Sequence, residues 1–165
     1  MKTVAGIFDN KIVADTAVAQ LLDVGFTKDD ISLIMSEETK KTFFSSTDDE
    51  ANRTAKGAAA GATLGGALGA LIAGLTVAGS IVTSGGALLL SGPIVAVLAG
   101  AGVGGVAGGL AGALVRAGFA ADEANRYEEE IKRGKAVVVV HAENDGKESL
   151  AKMALRNSGA MLKAA

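Results

Sequence analysis

The chain has 165 residues, a net charge of −2 and no cysteine. That length suits one domain. The charge balance gives nucleic-acid binding no electrostatic support, and the lack of thiols excludes a disulfide frame and a cysteine nucleophile. The opening apolar run is too short for a cleaved leader, so the charged part of the chain is expected in the cytoplasm.

Residues 2–8, Lys-Thr-Val-Ala-Gly-Ile-Phe, read as a short strand ended by Asp9-Asn10. Ala14, Ala17, Val18, Leu21 and Leu22 then recur at helical spacing. Gly25 stops that helix, because a left-handed residue is cheapest without a Cβ, and Phe26 is expected to fold back onto it. Residues 30–35 form a second strand. Strand, helix and strand together predict a right-handed βαβ unit with parallel pairing. Residues 36–46 read as a polar loop anchored by Phe43-Phe44. Thr47 and Glu50 form a capping box that starts a helix near residue 48, running into a glycine-rich stretch. Residues 80–92 hold turn signals, and Pro93, the only proline, suits the first position of a returning helix.

That helix is expected to reach Arg116 and stop at Gly118. Residues 122–130 read as a solvated acidic helix ended by Gly134. Residues 135–141 contain Val137-Val138-Val139-Val140, an unalternating run that predicts a central strand buried on both faces. A last helix, 147–157, finishes at Gly159. Residues 22–30 and 115–123 resemble each other, which fits a shared grammar of glycine stop, aromatic and acidic restart.

Between Gly57 and Val115 the sequence has no charged residue for 59 positions and carries 17 glycines. Gly57, Gly61, Gly65 and Gly69 open the stretch; Gly100, Gly104, Gly108 and Gly112 close it. In a helix, steps of four stay on one face. If the chain turns near residue 86, each glycine of the first set meets one of the second in a single antiparallel register. Such side-chain-poor faces allow close backbone approach. Residues 57–79 and 93–115 are 23 positions each, and at ~1.5 Å per residue either could cross a ~30 Å hydrocarbon core. Their apolar content favours insertion by only about −2 to −4 and −3 to −5 kcal/mol respectively. Insertion as a packed hairpin or burial in an oligomer is therefore expected over single-pass insertion. Arg53, Lys56 and Arg116 lie at the open end, which the positive-inside rule places in the cytoplasm. Glycine costs roughly 1 kcal/mol per residue in a water-exposed helix, so something must surround the segment. A bilayer, a soluble oligomer with an enclosed apolar interior and a disordered insert are the three readings.

Several chemistries can be ruled down. Gly100, Gly102 and Gly105 after residues 94–99 match a dinucleotide fingerprint, but no second strand with an acidic end follows at the required distance. His141, the only histidine, closes the valine strand near Glu143 and Asp145 and reads as a surface residue. Ser45 and Ser46 sit in no nucleophile motif, and Glu128-Glu129-Glu130 reads as a solvated helix face. No catalytic residue, metal ligand, cofactor or small-molecule substrate is expected.

The Val-Ala-Gly-Ile-Phe-Asp start, Val24-Gly25-Phe26, Asp30-Ile31-Ser32-Leu33, the Gly/Ala hairpin and Tyr127-Glu128 followed by residues 134–139 resemble the bacterial general-stress and low-temperature-induced protein family. The resemblance covers most of the chain and rests on patterns. It implies a small α/β domain interrupted by a glycine-zipper hairpin, a stress-linked role and no known reaction. The closing segment, residues 153–165, departs from that pattern by being shorter and more basic.

The sequence therefore predicts an α+β protein. A small α/β body, residues 1–46 and 119–165, is interrupted by a long Gly/Ala-rich antiparallel helical hairpin, residues 47–118. A ferredoxin-like arrangement is one candidate, with the strand order open. The expected function is non-enzymatic and stress-associated: transmembrane helices in the cytoplasmic membrane, with the body in the cytoplasm, and self-association through the eight glycines above. Leu71, Ile72, Leu75, Ile94, Val97 and Leu98 would face lipid or neighbouring subunits. The alternative is a cytoplasmic, soluble homo-oligomeric particle or lipid-binding assembly enclosing the apolar hairpins. The partners expected are other copies of the chain and membrane lipid.

Overall fold

A computed structural model describes residues 2–44, 79–83, 86–95 and 109–161. The described chain is mixed α+β, built on a five-stranded sheet with the order β1-β5-β2-β4-β3. Its strands are β1 (Lys2–Phe8), β2 (Ile31–Ser36), β3 (Gly79–Thr83), β4 (Gly86–Ser91) and β5 (Ala136–Ala142). Its α-helices are α1 (Lys11–Asp23), α2 (Glu37–Phe44), α3 (Gly109–Arg116), α4 (Ala121–Lys132) and α5 (Asp145–Asn157).

β5 is the centre of the body. Val137, Val138, Val139 and Val140 are all 0% exposed. Because side chains alternate across a strand, the run feeds two cores. Val138 and Val140 pack with α1 and α5 on the front face. Val137 and Val139 pack with Ile94, α3 and α4 on the rear face. Burying each valine contributes roughly 1.5–3 kcal/mol, so this strand alone supplies a large share of the driving force. The three expected strands are present as neighbours within the five-stranded sheet, and the valine strand is covered on both faces as expected.

The expected parallel pairing is not. β1 and β2 do run the same way, but β5 lies between them and pairs antiparallel with each, Val4 opposite Val140 and Leu33 opposite Val138. The reason is hydrophobic: the most apolar strand takes the doubly covered central position, and β1 and β2 become its flanks.

Helix ends follow local chemistry. Asn10 and Asn144 cap α1 and α5 by accepting the amides of Val13 and Lys147. α1 ends in a Schellman motif: Gly25 has φ +94°, the Phe26 amide donates to the Leu21 carbonyl, and Phe26 enters the front core. α3 ends the same way through Gly118 and Phe119, with Phe119 in the rear core. The two similar segments are thus one stop device used on opposite faces. Residues 37–44 are helical rather than loop. Ser36 accepts the Thr39 amide at 3.1 Å and Glu37 and Glu38 fill the first turn. Phe43 does anchor this segment, in the front core.

The middle of the chain departs most from expectation. Residues expected to turn between two helices instead form β3 and β4, and β4 pairs with β2. Of the expected returning helix, the described residues show α3, which begins at Gly109 with φ +63°; residues 96–108 lie outside them. The Thr47–Glu50 capping box lies outside the described residues.

Candidate functional site

Of the eight glycines expected to make the packing faces, Gly112 alone is among the described residues, half-buried in α3. Gly57, Gly61, Gly65, Gly69, Gly100, Gly104 and Gly108 lie outside them, as do Leu71, Ile72, Leu75, Val97 and Leu98. Ile94 does not face lipid or a neighbouring subunit: it is 0% exposed in the rear core, because the turn after β4 folds it under the sheet. No helix among the described residues is long and apolar enough to cross a membrane. That overturns the transmembrane-helix expectation. The described part of the uncharged stretch is spent on two strands of the body's own sheet and on α3, whose eight residues rise about 12 Å against a ~30 Å core.

One feature of the expected hairpin is present in another form. β3 and β4 pair Gly79 with Leu90, Ile81 with Leu88 and Thr83 with Gly86. Each pair of residue numbers has the same total as Gly57 with Gly112 or Gly69 with Gly100. The chain therefore reverses in the register the glycine repeats require, but in strands.

The junction between β4 and the body is the most constrained place described. The Ser32 hydroxyl is fully buried and accepts the Ile94 amide at 3.1 Å. It also lies 3.4 Å from His141 Nε2. Gly92 makes this approach possible, since a Cβ there would sit 2.2 Å from the Ile31 carbonyl oxygen. Burial lowers the affinity of His141 for a proton, while the Asp30 charge works in the opposite sense. Partial burial would raise the Asp30 carboxyl, but the Thr27 amide and hydroxyl, each 2.8 Å from Oδ2, bring it below its usual range. His141 is thus half-buried beside Ser32 and Asp30, rather than a surface residue grouped with Glu143 and Asp145.

The return of the chain into the body has its own lock. Glu128 of α4 accepts the Ala111 amide at 2.7 Å, at the open N-terminal end of α3, and pairs with Lys132. Burial pushes the Glu128 carboxyl up, but these partners outweigh it and hold it below its usual range. Glu130 pairs with Lys135 at 2.7 Å, and Lys135 reaches Asp9 at 2.9 Å. Two of the three consecutive glutamates are therefore structural, while Glu129 is exposed. α4 is accordingly amphipathic, burying Ala124, Tyr127 and Ile131. Burial pushes the Tyr127 hydroxyl up to about 12, and its ring meets Phe119 edge-on at 5.5 Å.

Among the described residues no group of three His, Asp or Glu converges as a metal site would need. The fingerprint-like Gly100, Gly102 and Gly105, and residues 96–99 before them, lie outside the described residues. A shallow groove of roughly 210 Å³ between α1 and α5 is lined by Val24, Leu150 and Met153 with Gln20, Asp23 and Asn157. It gathers no reactive groups.

The described residues form an α+β body to which the returning end of an uncharged stretch is fixed at Ser32 and Glu128. The chain matches no family model, no curated protein and no solved structure.

Proposed function

We propose that this is a non-catalytic, self-associating protein: the α+β body holds both ends of a glycine-rich insert, and copies of the chain enclose the uncharged segment between them. The observation that carries this reading is the 59-residue stretch without charge and with 17 glycines. In water such a segment has little side-chain burial to offset glycine's loss of backbone freedom, and association supplies the missing apolar surroundings. Support also comes from register. The glycine repeats share the pairing total of β3 and β4, so we read them as the two legs of one long hairpin that presents backbone-rich surfaces to neighbouring copies. We read the body as a variant of the ferredoxin-like arrangement, in which β5, arriving after α4, takes the place between β1 and β2. A stress-linked role enters this proposal only through the resemblance of the body's motifs.

The test is Gly65→Leu combined with Gly104→Leu, since two added side chains cannot fit a backbone-contact seam. The double variant is expected to sediment at or near the 16.3 kDa monomer while keeping the circular dichroism of the folded body. Unchanged sedimentation would refute the seam. Flotation of the wild-type chain with phospholipid vesicles, with no self-association in their absence, would replace neighbouring copies by lipid.

A further inference from the structure

The Ser32 junction does more than fill space. Its hydroxyl oxygen takes the Ile94 amide, so its own proton must go elsewhere, and the nearest ring nitrogen is His141 Nε2 at 3.4 Å. With a neutral imidazole that carries its proton on Nδ1 the arrangement is complete: Ile94 N–H donates to Ser32 Oγ, and Ser32 O–H donates to His141 Nε2. We propose that Ser32 and His141 form a pH-gated latch that holds the Gly92–Ile94 return of the insert onto the rear face of the sheet. A protonated ring has no lone pair on Nε2. The Ser32 proton then loses its acceptor inside a fully buried site, which is the costly state for a polar group.

Among the described residues, charge reaches the imidazole from Asp30, at the end of the 3-10 turn before β2. Asp30 is in turn under the influence of Lys147 of α5, and the residue opposite His141 on β1 is Thr3, which does not titrate. An imidazolium therefore has an attractive alternative, away from Ser32 and toward Asp30. The sign follows. Burial depresses the proton affinity of His141 in the folded chain, so the latch is complete above the ordinary histidine range. It weakens as pH falls through the folded value. Release exposes Ile94 and frees the turn after β4, while β1, β5 and β2 keep their own pairing. The inference stands whether or not copies of the chain associate.

The test is amide hydrogen exchange of the full chain by NMR, with Ile94 protection taken relative to the intrinsic rate at each pH. The His141 ring titration is followed in the same sample. Ile94 protection is expected to fall at least about tenfold across the His141 midpoint, while Val139 protection stays constant. His141→Gln keeps a side-chain acceptor at every pH and is expected to abolish the pH dependence. Ser32→Ala is expected to lower Ile94 protection at both ends of the range. Ile94 protection that is constant through the His141 midpoint, or that falls equally in His141→Gln, would overturn the latch. Should either variant fail to fold, coincidence or separation of the two wild-type midpoints decides the question.

Discussion

A methyl group at position 92 would sit 2.2 Å from the Ile31 carbonyl oxygen and 2.8 Å from Ser32 Cα, on a backbone with φ of +85°. Both the clash and the left-handed conformation penalise any side chain. Gly92→Ala is therefore expected to destabilise the protein by about 2–4 kcal/mol, read from the urea midpoint, and a loss under about 0.5 kcal/mol would contradict the close approach. Glycines of this sort were unevenly legible. Gly25, Gly118, Gly134 and Gly159 all have positive φ and end helices as the sequence predicts, because a helix stop is written in neighbouring residues. Gly92 was not legible as a contact residue. Its constraint comes from β2, about which its neighbours say nothing. Ser32 is the same case: its partner Ile94 is 62 positions away, and nothing in Ile31-Ser32-Leu33 marks the hydroxyl as an acceptor.

At the scale of elements, strong periodicity was readable and weak periodicity was not. β1, β2, β5 and α1 follow from apolar runs and spacing, and Val137 to Val140 specify a strand covered on both sides. α2 was missed because it is mostly polar, although Ser36 followed by Glu37 and Glu38 was an available helix-start signal. β3 and β4 read as a turn because glycines flank both, and their only sustained apolar run, Leu88-Leu89-Leu90, suits helix as well as strand. α3 owes its position to a different element, through the Glu128 carboxylate at its first turn. Glu128→Ala should cost about 1 kcal/mol, chiefly as lost protection of α3 amides in hydrogen exchange. Because the folded Glu128 carboxyl is held below its usual range, its contribution is present above the unfolded value and is lost as pH falls below about 4.5. Wild type and Glu128→Ala should therefore converge in stability in strong acid. A constant difference down to the acid transition would show that the carboxylate charge is not what holds α3.

For the whole molecule, the sheet solves one problem twice. β5 must be covered on both faces, so α1 and α5 close the front and α3 and α4 close the rear. The rear cover is completed only when the insert returns, because Ile94 and α3 belong to the uncharged stretch and yet lie in the rear core. Hydropathy and charge mark where the chain could leave water, not which parts of the uncharged stretch pack on the body's own sheet. The transmembrane expectation fails on the same ground: no helix among the described residues is long and apolar enough to cross a membrane, and α3, at the end of the second expected span, packs into the rear core. The reversal near residue 86 was readable from the glycine spacing, and β3 and β4 pair in the register it sets; seven of the eight glycines themselves lie outside the described residues. The central claim is that the uncharged segment is covered by other copies of the chain. Sedimentation velocity of the intact protein in detergent-free buffer tests it directly. Species of several times 16.3 kDa, persisting on dilution to micromolar concentration, are the predicted result, and a stable folded monomer of 16.3 kDa would contradict it.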